Sequence, residues 1–279
     1  MRNRIRQKRG AAGFSLVELA VVMAIVAFLL GSLMYTLSAQ TEQRRFEDMR
    51  RRLDPARELL LAFSIVKGRL PCPARYTSSA SNSQGLESFC TSASPATCSG
   101  SETTTEQTHG NCSNYTDGYL PAASLGWQQT DTSGFAVDTW GNRIRYAVAK
   151  LNTNCSTSPP LNTILFTSAS NLKTYGVSCQ PNDLLVCKTA TGITSSDCGG
   201  ATNQIMTQSL LVAVVYSTGK NGATGGTGLD EAANLNGDRV FVYHTPTPST
   251  AANGEFDDQF TWVTVGELYG KLIAAGVLP

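Results

Sequence analysis

The chain has 279 residues, of which 41% are hydrophobic and 15% are charged, a composition typical of folded rather than disordered proteins. Its formal net charge is +1, but five of its 22 basic residues lie within the first nine positions. Without them, 17 basic residues face 21 acidic ones. The body is therefore acidic, which argues against a nucleic-acid-binding function.

The N-terminus combines a basic segment with a long apolar one. Residues 1–13 form a predicted leader peptide, and residues 14–37 form an apolar segment in which Glu18 is the only charged residue. As a helix, this segment would be roughly 36 Å long at about 1.5 Å per residue, enough to span a bilayer. A carboxylate inside such a segment costs up to about 3 kcal/mol on insertion, so a function is the default explanation for Glu18.

The run Gly13-Phe14-Ser15-Leu16-Val17-Glu18 resembles the precursors of type IV pilins and of type II secretion pseudopilins. In that family a short Lys/Arg-rich leader ends in Gly, an aromatic residue or Met follows, and a Glu stands four residues further on. The resemblance implies that a membrane-embedded prepilin peptidase cuts between Gly13 and Phe14 and methylates the new amine of Phe14. It also implies other pilin or pseudopilin subunits and inner-membrane lipid as partners.

Elementary electrostatics supports a role for Glu18 in assembly. An amine at the start of a helix is opposed by the helix macrodipole, whereas a carboxylate there is favoured by it. Two unit charges about 4 Å apart at an effective dielectric near 20 attract by roughly 4 kcal/mol. We therefore expect Glu18 of one subunit to compensate the Phe14 amine of a neighbour when the helices bundle.

Two other interpretations of the N-terminus remain open. One is a secretory signal peptide cleaved after Ala39, although the apolar run exceeds the usual length and Leu37 stands where a small residue is preferred. The other is a plain signal anchor in which Glu18 has no role.

All eight cysteines follow the apolar segment, and an even number suits disulfides in an oxidising compartment. We therefore predict a bacterial inner-membrane protein with one span, a cytoplasmic N-terminus and a periplasmic body. Zinc is a weaker alternative, because no C-x-x-C pair exists and only His109 and His244 are available. The sequence leaves the pairing open among Cys72, Cys90, Cys98, Cys112, Cys155, Cys179, Cys187 and Cys198.

Residues 38–67 are predicted to continue the N-terminal helix outside the membrane, because apolar residues recur there at alternating spacings of three and four. The opposite face carries five arginines, which indicates a solvated face or, less favoured, contact with anionic lipid. Asp54-Pro55 predicts a kink or a restart of the helix. The apolar stripe is Phe46, Met49, Leu53, Ala56, Leu60 and Phe63, and the arginines are Arg44, Arg45, Arg50, Arg51 and Arg52.

Residues 68–142 form a predicted Cys-rich connecting region. The run 68–73 ends the helix with a glycine and two prolines, and residues 76–117 are rich in Ser, Thr, Asn and Gly. Such a loop is either a recognition surface or a passive insertion. Asp138-Thr139-Trp140-Gly141 resembles a turn that leads into the first sheet strand of several pseudopilins and minor pilins, and we assign it a structural role.

Residues 143–279 are predicted to form an antiparallel sheet domain with a closing helix at 266–275. Its four expected strands are 143–150, 210–217, 239–244 and 259–265. The glycine-rich loop between the second and third of these strands resembles the calcium-binding region of major pseudopilins. That resemblance gives Asp230, Glu231 and Asp238 as possible calcium ligands, and a solvated hairpin loop is the alternative.

Together these observations predict an α+β, pilin-like fold: a long N-terminal transmembrane and amphipathic helix packed on a small antiparallel sheet, with disulfide-bonded loops. We expect a structural subunit, either a minor pilin or a pseudopilin, that assembles into an open filament through heterologous contacts. The alternative is a signal-anchored periplasmic binding module or thiol enzyme. Catalysis is not expected, since Ser195, Ser209 and the two histidines form no recognisable nucleophile–base arrangement.

Overall fold

The computed structural model describes residues 15–76, 83–93, 98, 101–150, 152–153 and 164–278, with the backbone alone at 32–39 and 152–153. The predicted leader, Gly13, Phe14 and Cys155 lie outside the described residues. The chain divides into two compact units, Met1–Phe46 and Glu47–Pro279.

The described helices include the two that the sequence predicts most clearly, the first and the last. The α-helices are α1 (Leu16–Lys67), α2 (Ala122–Leu125), α3 (Ala169–Tyr175), α4 (Leu229–Asn234) and α5 (Val265–Ala274), and short 3-10 turns cover Gly176–Ser178, Ala201–Asn203 and Gly222–Thr224. Helix α1 continues through Pro55, so the predicted restart there is wrong. Buried residues on both sides of the proline belong to one core, which holds the helix together despite the lost hydrogen bond.

The strands are short, and most of them lie in the second half of the chain. They are β1 (Phe89–Cys90), β2 (Glu102–Thr103), β3 (Gly118–Tyr119), β4 (Arg145–Val148), β5 (Asn152–Thr153), β6 (Gln180–Pro181), β7 (Leu185–Cys187), β8 (Gln204–Met206), β9 (Leu211–Ser217), β10 (Val240–Val242) and β11 (Gln259–Thr264).

The main sheet has four antiparallel strands in the order β11-β9-β4-β3. Three of the four predicted strands are confirmed as its members, but the assignment of 239–244 to this sheet is wrong. Strand β10 instead pairs in parallel with β7 in a separate sheet of order β10-β7-β8. The fourth place is taken by β3, whose two residues are too few to give an alternating signal.

The core of the second unit lies between α1 and the main sheet. Met49, Leu53, Ala56 and Leu60 are all buried, which confirms that part of the predicted stripe on the helix. All seven residues of β9 are buried, so both faces of the central strand are covered. The arginines at 44, 45, 50 and 51 are exposed and form the predicted solvated face.

Disulfides tie down the loops, as the even number of cysteines predicts. The described pairs are Cys72–Cys112, Cys90–Cys98 and Cys187–Cys198. Cys179 is also disulfide-bonded, and none of the described cysteines is free. The first of these pairs lies within the Cys-rich region, where it links the segment directly after α1 to Cys112 and closes a loop across 40 residues.

Arg69, two residues after α1, is among the largest fully buried side chains of the described residues, with 2% of its surface exposed. Its Nη1 and Nη2 donate to the two carboxylate oxygens of Glu87 at 2.6 and 3.0 Å. Its Nη2 also donates to Glu106, and its guanidinium lies 5.3 Å from the ring centroid of Phe89. This ion pair joins the segment that follows the helix to a later part of the Cys-rich region.

Candidate functional site

The predicted turn at 138–142 is built around the carboxylate of Asp138. Asp138 Oδ1 accepts from the backbone N–H groups of Trp140 at 2.9 Å and Asn142 at 2.8 Å, and its Oδ2 accepts from Ser217 Oγ at 2.6 Å. Gly141 adopts φ 90°, which favours glycine at this position. The turn therefore ties the start of β4 to the end of β9, in agreement with a structural role.

The structure does not bring Asp230, Glu231 and Asp238 together as a ligand set, and calcium binding by these residues stays a prediction. Asp230 Oδ1 accepts from the Ala190 N–H at 2.5 Å, and its Oδ2 lies 3.1 Å from His244 Nε2. Asp238 accepts from the Val240 N–H at 2.8 Å and closes the turn before β10. Both carboxylates thus accept hydrogen bonds from neighbouring backbone groups, and they do not face a common point.

A different group of carboxylates forms beside the glycine-rich loop, and we call it the acidic centre. Glu231 on α4 meets Asp257 and Asp258, which precede β11, and one ligand oxygen from each lies within 4.8 Å of the others. All three residues are at most 4% exposed. In the described part of the chain this is the group whose geometry can hold a metal ion, and its hard oxygen donors suit calcium.

Each member of the acidic centre has a different set of partners. Glu231 accepts from Asn221 Nδ2, from the N–H groups of Thr227 and Gly228, and from the Asp257 N–H at 3.0 Å. Asp258 accepts from Asn234 Nδ2 at 2.7 Å. Glu231 therefore fixes the glycine-rich loop in place.

Asp257 is the least satisfied of the three carboxylates. Its Oδ2 accepts from the Lys220 N–H at 2.9 Å, but its Oδ1 is buried with no hydrogen-bond partner. A Cβ at Gly219 would lie 1.8 Å from this Oδ1, so the close approach of the loop requires glycine. Burial, followed by the charges of Glu231 and Glu255, raises the pKa of Asp257 to about 7, and burial raises that of Asp258 well above its ordinary value.

Calcium binding at the acidic centre is expected to be visible as a gain in stability. At a calcium concentration ten times the Kd, the melting temperature of the full-length protein in detergent should rise by roughly 3–6 °C. Asp257→Asn should remove this rise, because it replaces the unpartnered carboxylate oxygen. Asp238→Asn is the matched control and should keep the rise. An unchanged melting temperature in millimolar calcium would exclude the site.

The N-terminus of α1 shows a feature that the sequence reasoning missed. Glu18 Oε2 accepts from the backbone N–H and from the hydroxyl of Ser15, both at 2.9 Å, and Ser15 Oγ lies 3.2 Å from the Glu18 N–H. This is a reciprocal capping box, and its Ser-x-x-Glu spacing was readable in the sequence. Glu18 therefore satisfies the start of its own helix.

The apolar residues on both sides of Glu18 are exposed to an unusual degree. Leu16 is 85% exposed and Phe28 is 79% exposed, and large hydrophobic residues between them are also exposed. An apolar surface of this kind marks a site of contact with membrane or protein. Among the residues whose side chains are described, no helix meets the length and hydropathy needed to cross a bilayer. The predicted span 14–37 includes Phe14 and the side chains of 32–37, which are not described.

Comparison with known proteins identifies the same N-terminal stretch. Residues 8–34 match the family described as the prokaryotic N-terminal methylation motif. The chain carries a prepilin signal. This is the signal of type IV pilins and pseudopilins, and it confirms the resemblance drawn from the residues around Glu18. No curated protein and no solved structure matches the chain.

The prepilin signal contains Gly13, Phe14 and Glu18, the three residues predicted for processing and assembly. Of these, the structure describes Glu18 alone. A prepilin signal implies processing by a prepilin peptidase and assembly with pilin subunits, and it indicates a membrane-anchored, cell-surface assembly.

Proposed function

We propose that the protein is a structural subunit of a type IV pilus or of a type II secretion pseudopilus. In this proposal it waits in the bacterial inner membrane with its N-terminus in the cytoplasm and its disulfide-bonded body in the periplasm. A prepilin peptidase cuts after Gly13 and methylates Phe14. The prepilin signal at residues 8–34 is the observation that carries the proposal.

The capping box refines the role of Glu18 in this proposal. Both bonds from Ser15 go to Oε2 of Glu18, so Oε1 can accept from a neighbouring chain at the same time. In an unassembled subunit Glu18 is stabilised by its own helix start, where the macrodipole also favours a carboxylate. In a filament, the methylated amine of Phe14 from the next subunit supplies the cation. Assembly thus adds a charge pair without breaking the cap.

The exposed apolar surface of α1 supports the same mechanism. In the membrane it would contact lipid, and in a filament it would contact the equivalent helices of other subunits. Because each helix meets its neighbours through different surfaces, the interface is heterologous and builds an open fibre. The three described disulfides agree with a body outside the cytoplasm. The proposal requires no catalysis by this chain.

The first test is the N-terminal residue of the mature protein. Co-expression with a prepilin peptidase should yield a chain that begins with N-methyl-Phe14, identified by mass spectrometry of the N-terminal peptide. Gly13→Leu should leave the leader in place, since a bulky side chain blocks cleavage, and Ala11→Leu serves as the matched control that is still processed. A wild-type chain that retains Met1 in the presence of the peptidase would overturn the proposal.

The same system tests Glu18 separately from processing. Glu18→Leu should still insert into the membrane and be cleaved, but its recovery in sheared filaments should fall at least tenfold, because roughly 4 kcal/mol of pairing is lost. Glu58→Gln removes an exposed acid elsewhere on α1 and should assemble as the wild type does. Equal incorporation of Glu18→Leu would show that the charge pair does not drive assembly.

A further inference from the structure

Strand β11 lies at one edge of the main sheet, and within the described residues β9 is its only strand partner. The opposite edge strand, β3, is two residues long, and its Tyr119 forms an isolated antiparallel β-bridge with Ala74. Exposed sheet edges are usually protected by charges, prolines or short length. The six residues of β11, Gln-Phe-Thr-Trp-Val-Thr, include neither a charge nor a proline. A register irregularity between Val263 and Thr264 interrupts the end of the strand, so the regular edge without such protection is 259–263.

A cleft of about 440 Å³ runs beside this edge. Consecutive strand residues point to opposite faces of a sheet, so a cleft that contacts Phe260, Thr261 and Trp262 follows the edge of the strand itself. The remaining lining residues come from the strand end and from two helices. They are Thr264, Glu267 and Arg57.

Arg57 contributes an ion pair to the wall of this cleft. Its Nη2 lies 2.5 Å from Glu267 Oε1. Since Glu267 already neutralises the guanidinium, an uncharged segment fits the cleft better than one that brings a second carboxylate, which Glu267 would repel.

We propose that β11 receives an extended, uncharged segment of a partner polypeptide, which adds a fifth strand to the main sheet. Backbone hydrogen bonds to β11 would provide affinity, and the neutral pair of Arg57 and Glu267 would favour a segment without charge. Apolar side chains of the segment would pack on Phe260 and Trp262. All of these residues belong to the unit Glu47–Pro279, so strand addition does not depend on processing at Gly13 or on filament assembly.

The test uses the full-length protein in detergent micelles and the probe peptide acetyl-Ser-Thr-Val-Thr-Val-Thr-Ser-amide. Millimolar peptide should slow amide hydrogen exchange in 259–264 by at least tenfold. A peptide with proline in place of the central threonine should leave exchange unchanged, because it cannot pair along the edge. A peptide with glutamate at that position should bind several-fold more weakly, because Glu267 repels it.

Two variants separate strand addition from loss of folding. Thr261→Lys places a charge on the edge and should abolish the protection, whereas Thr250→Lys, at an exposed position outside the cleft, should preserve it. Unchanged exchange with the threonine peptide, or equal slowing by the proline peptide, would overturn the proposal. Slowing that depends on protein concentration without any peptide would also overturn it, in favour of pairing between two copies of this chain.

Discussion

Replacing Arg69 by methionine is expected to lower the free energy of unfolding by about 3–5 kcal/mol, among the largest effects available from a single substitution in this chain. The reason is that the substitution leaves the carboxylate of Glu87 buried without its partner. Glu87 is 7% exposed and receives both of its short side-chain contacts from Arg69, with the Cys72 N–H as a further donor at 2.7 Å. Without the guanidinium, a buried carboxylate loses its counter-charge. Urea unfolding of the disulfide-intact protein, followed by near-ultraviolet circular dichroism, measures the effect.

The double variant Arg69→Met/Glu87→Met gives the decisive control. Removal of both charges leaves no unpaired ion, so it should recover most of the stability that Arg69→Met loses. Lys271→Met, which removes an exposed partner 3.9 Å from Glu58, should change stability by less than about 0.5 kcal/mol. A loss below 1 kcal/mol for Arg69→Met would mean that Glu87 finds other donors or takes up a proton.

The elements that the sequence predicted correctly have strong and local signals. The stripe on α1 repeats over several turns, and α5 has Thr264 as its N-cap, whose Oγ1 accepts from the N–H of Glu267 at 3.3 Å. Strands β9 and β11 are long enough to show their β-branched and aromatic composition. In each case the signal lies within the element, so no knowledge of distant neighbours was needed.

The errors concern relations between distant parts of the chain. The composition of 240–242 is typical of a strand. It does not reveal which strand is its neighbour, and that neighbour is β7 instead of a strand of the main sheet. The same holds for the ion pair of Arg69 and Glu87, which lie 18 residues apart. Disulfide pairing also depends on tertiary structure, and eight cysteines allow many connectivities.

The acidic centre shares one residue with the ligand set expected from the sequence. Glu231 belongs to both, whereas Asp230 and Asp238 accept hydrogen bonds from other loops. The other two members stand about 26 residues further on, where an acidic pair at 257–258 directly precedes β11. The sequence does show two adjacent carboxylates directly before an otherwise uncharged strand. Acidic residues are rarely buried without a partner or a ligand, so this pair was a candidate for the site.

The acidic centre also gives the second large prediction, a fall in stability as pH rises in calcium-free buffer. Burial raises the pKa of Asp257 to about 7 in the folded protein, from an ordinary value of 3.8. Between those values the folded protein holds a proton that the unfolded chain has released. The stability contributed by that proton is complete below about pH 4 and is lost as pH rises through about 7. From pH 5 to pH 8 this corresponds to a loss of about 2–3 kcal/mol.

Asp257→Asn should remove that part of the pH dependence, because an amide does not titrate. In EDTA, the fall in unfolding free energy between pH 5 and pH 8 should be about 2–3 kcal/mol smaller than in the wild type. Asp131→Asn is the matched control: the N–H of Phe135, followed by Arg143 and the N–H of Ser133, lowers the pKa of Asp131, so its contribution is lost only in acid. It should keep the wild-type slope in this range. Equal slopes for wild type and Asp257→Asn would show that Asp257 is ionised in the folded protein and that another cation or donor reaches its Oδ1.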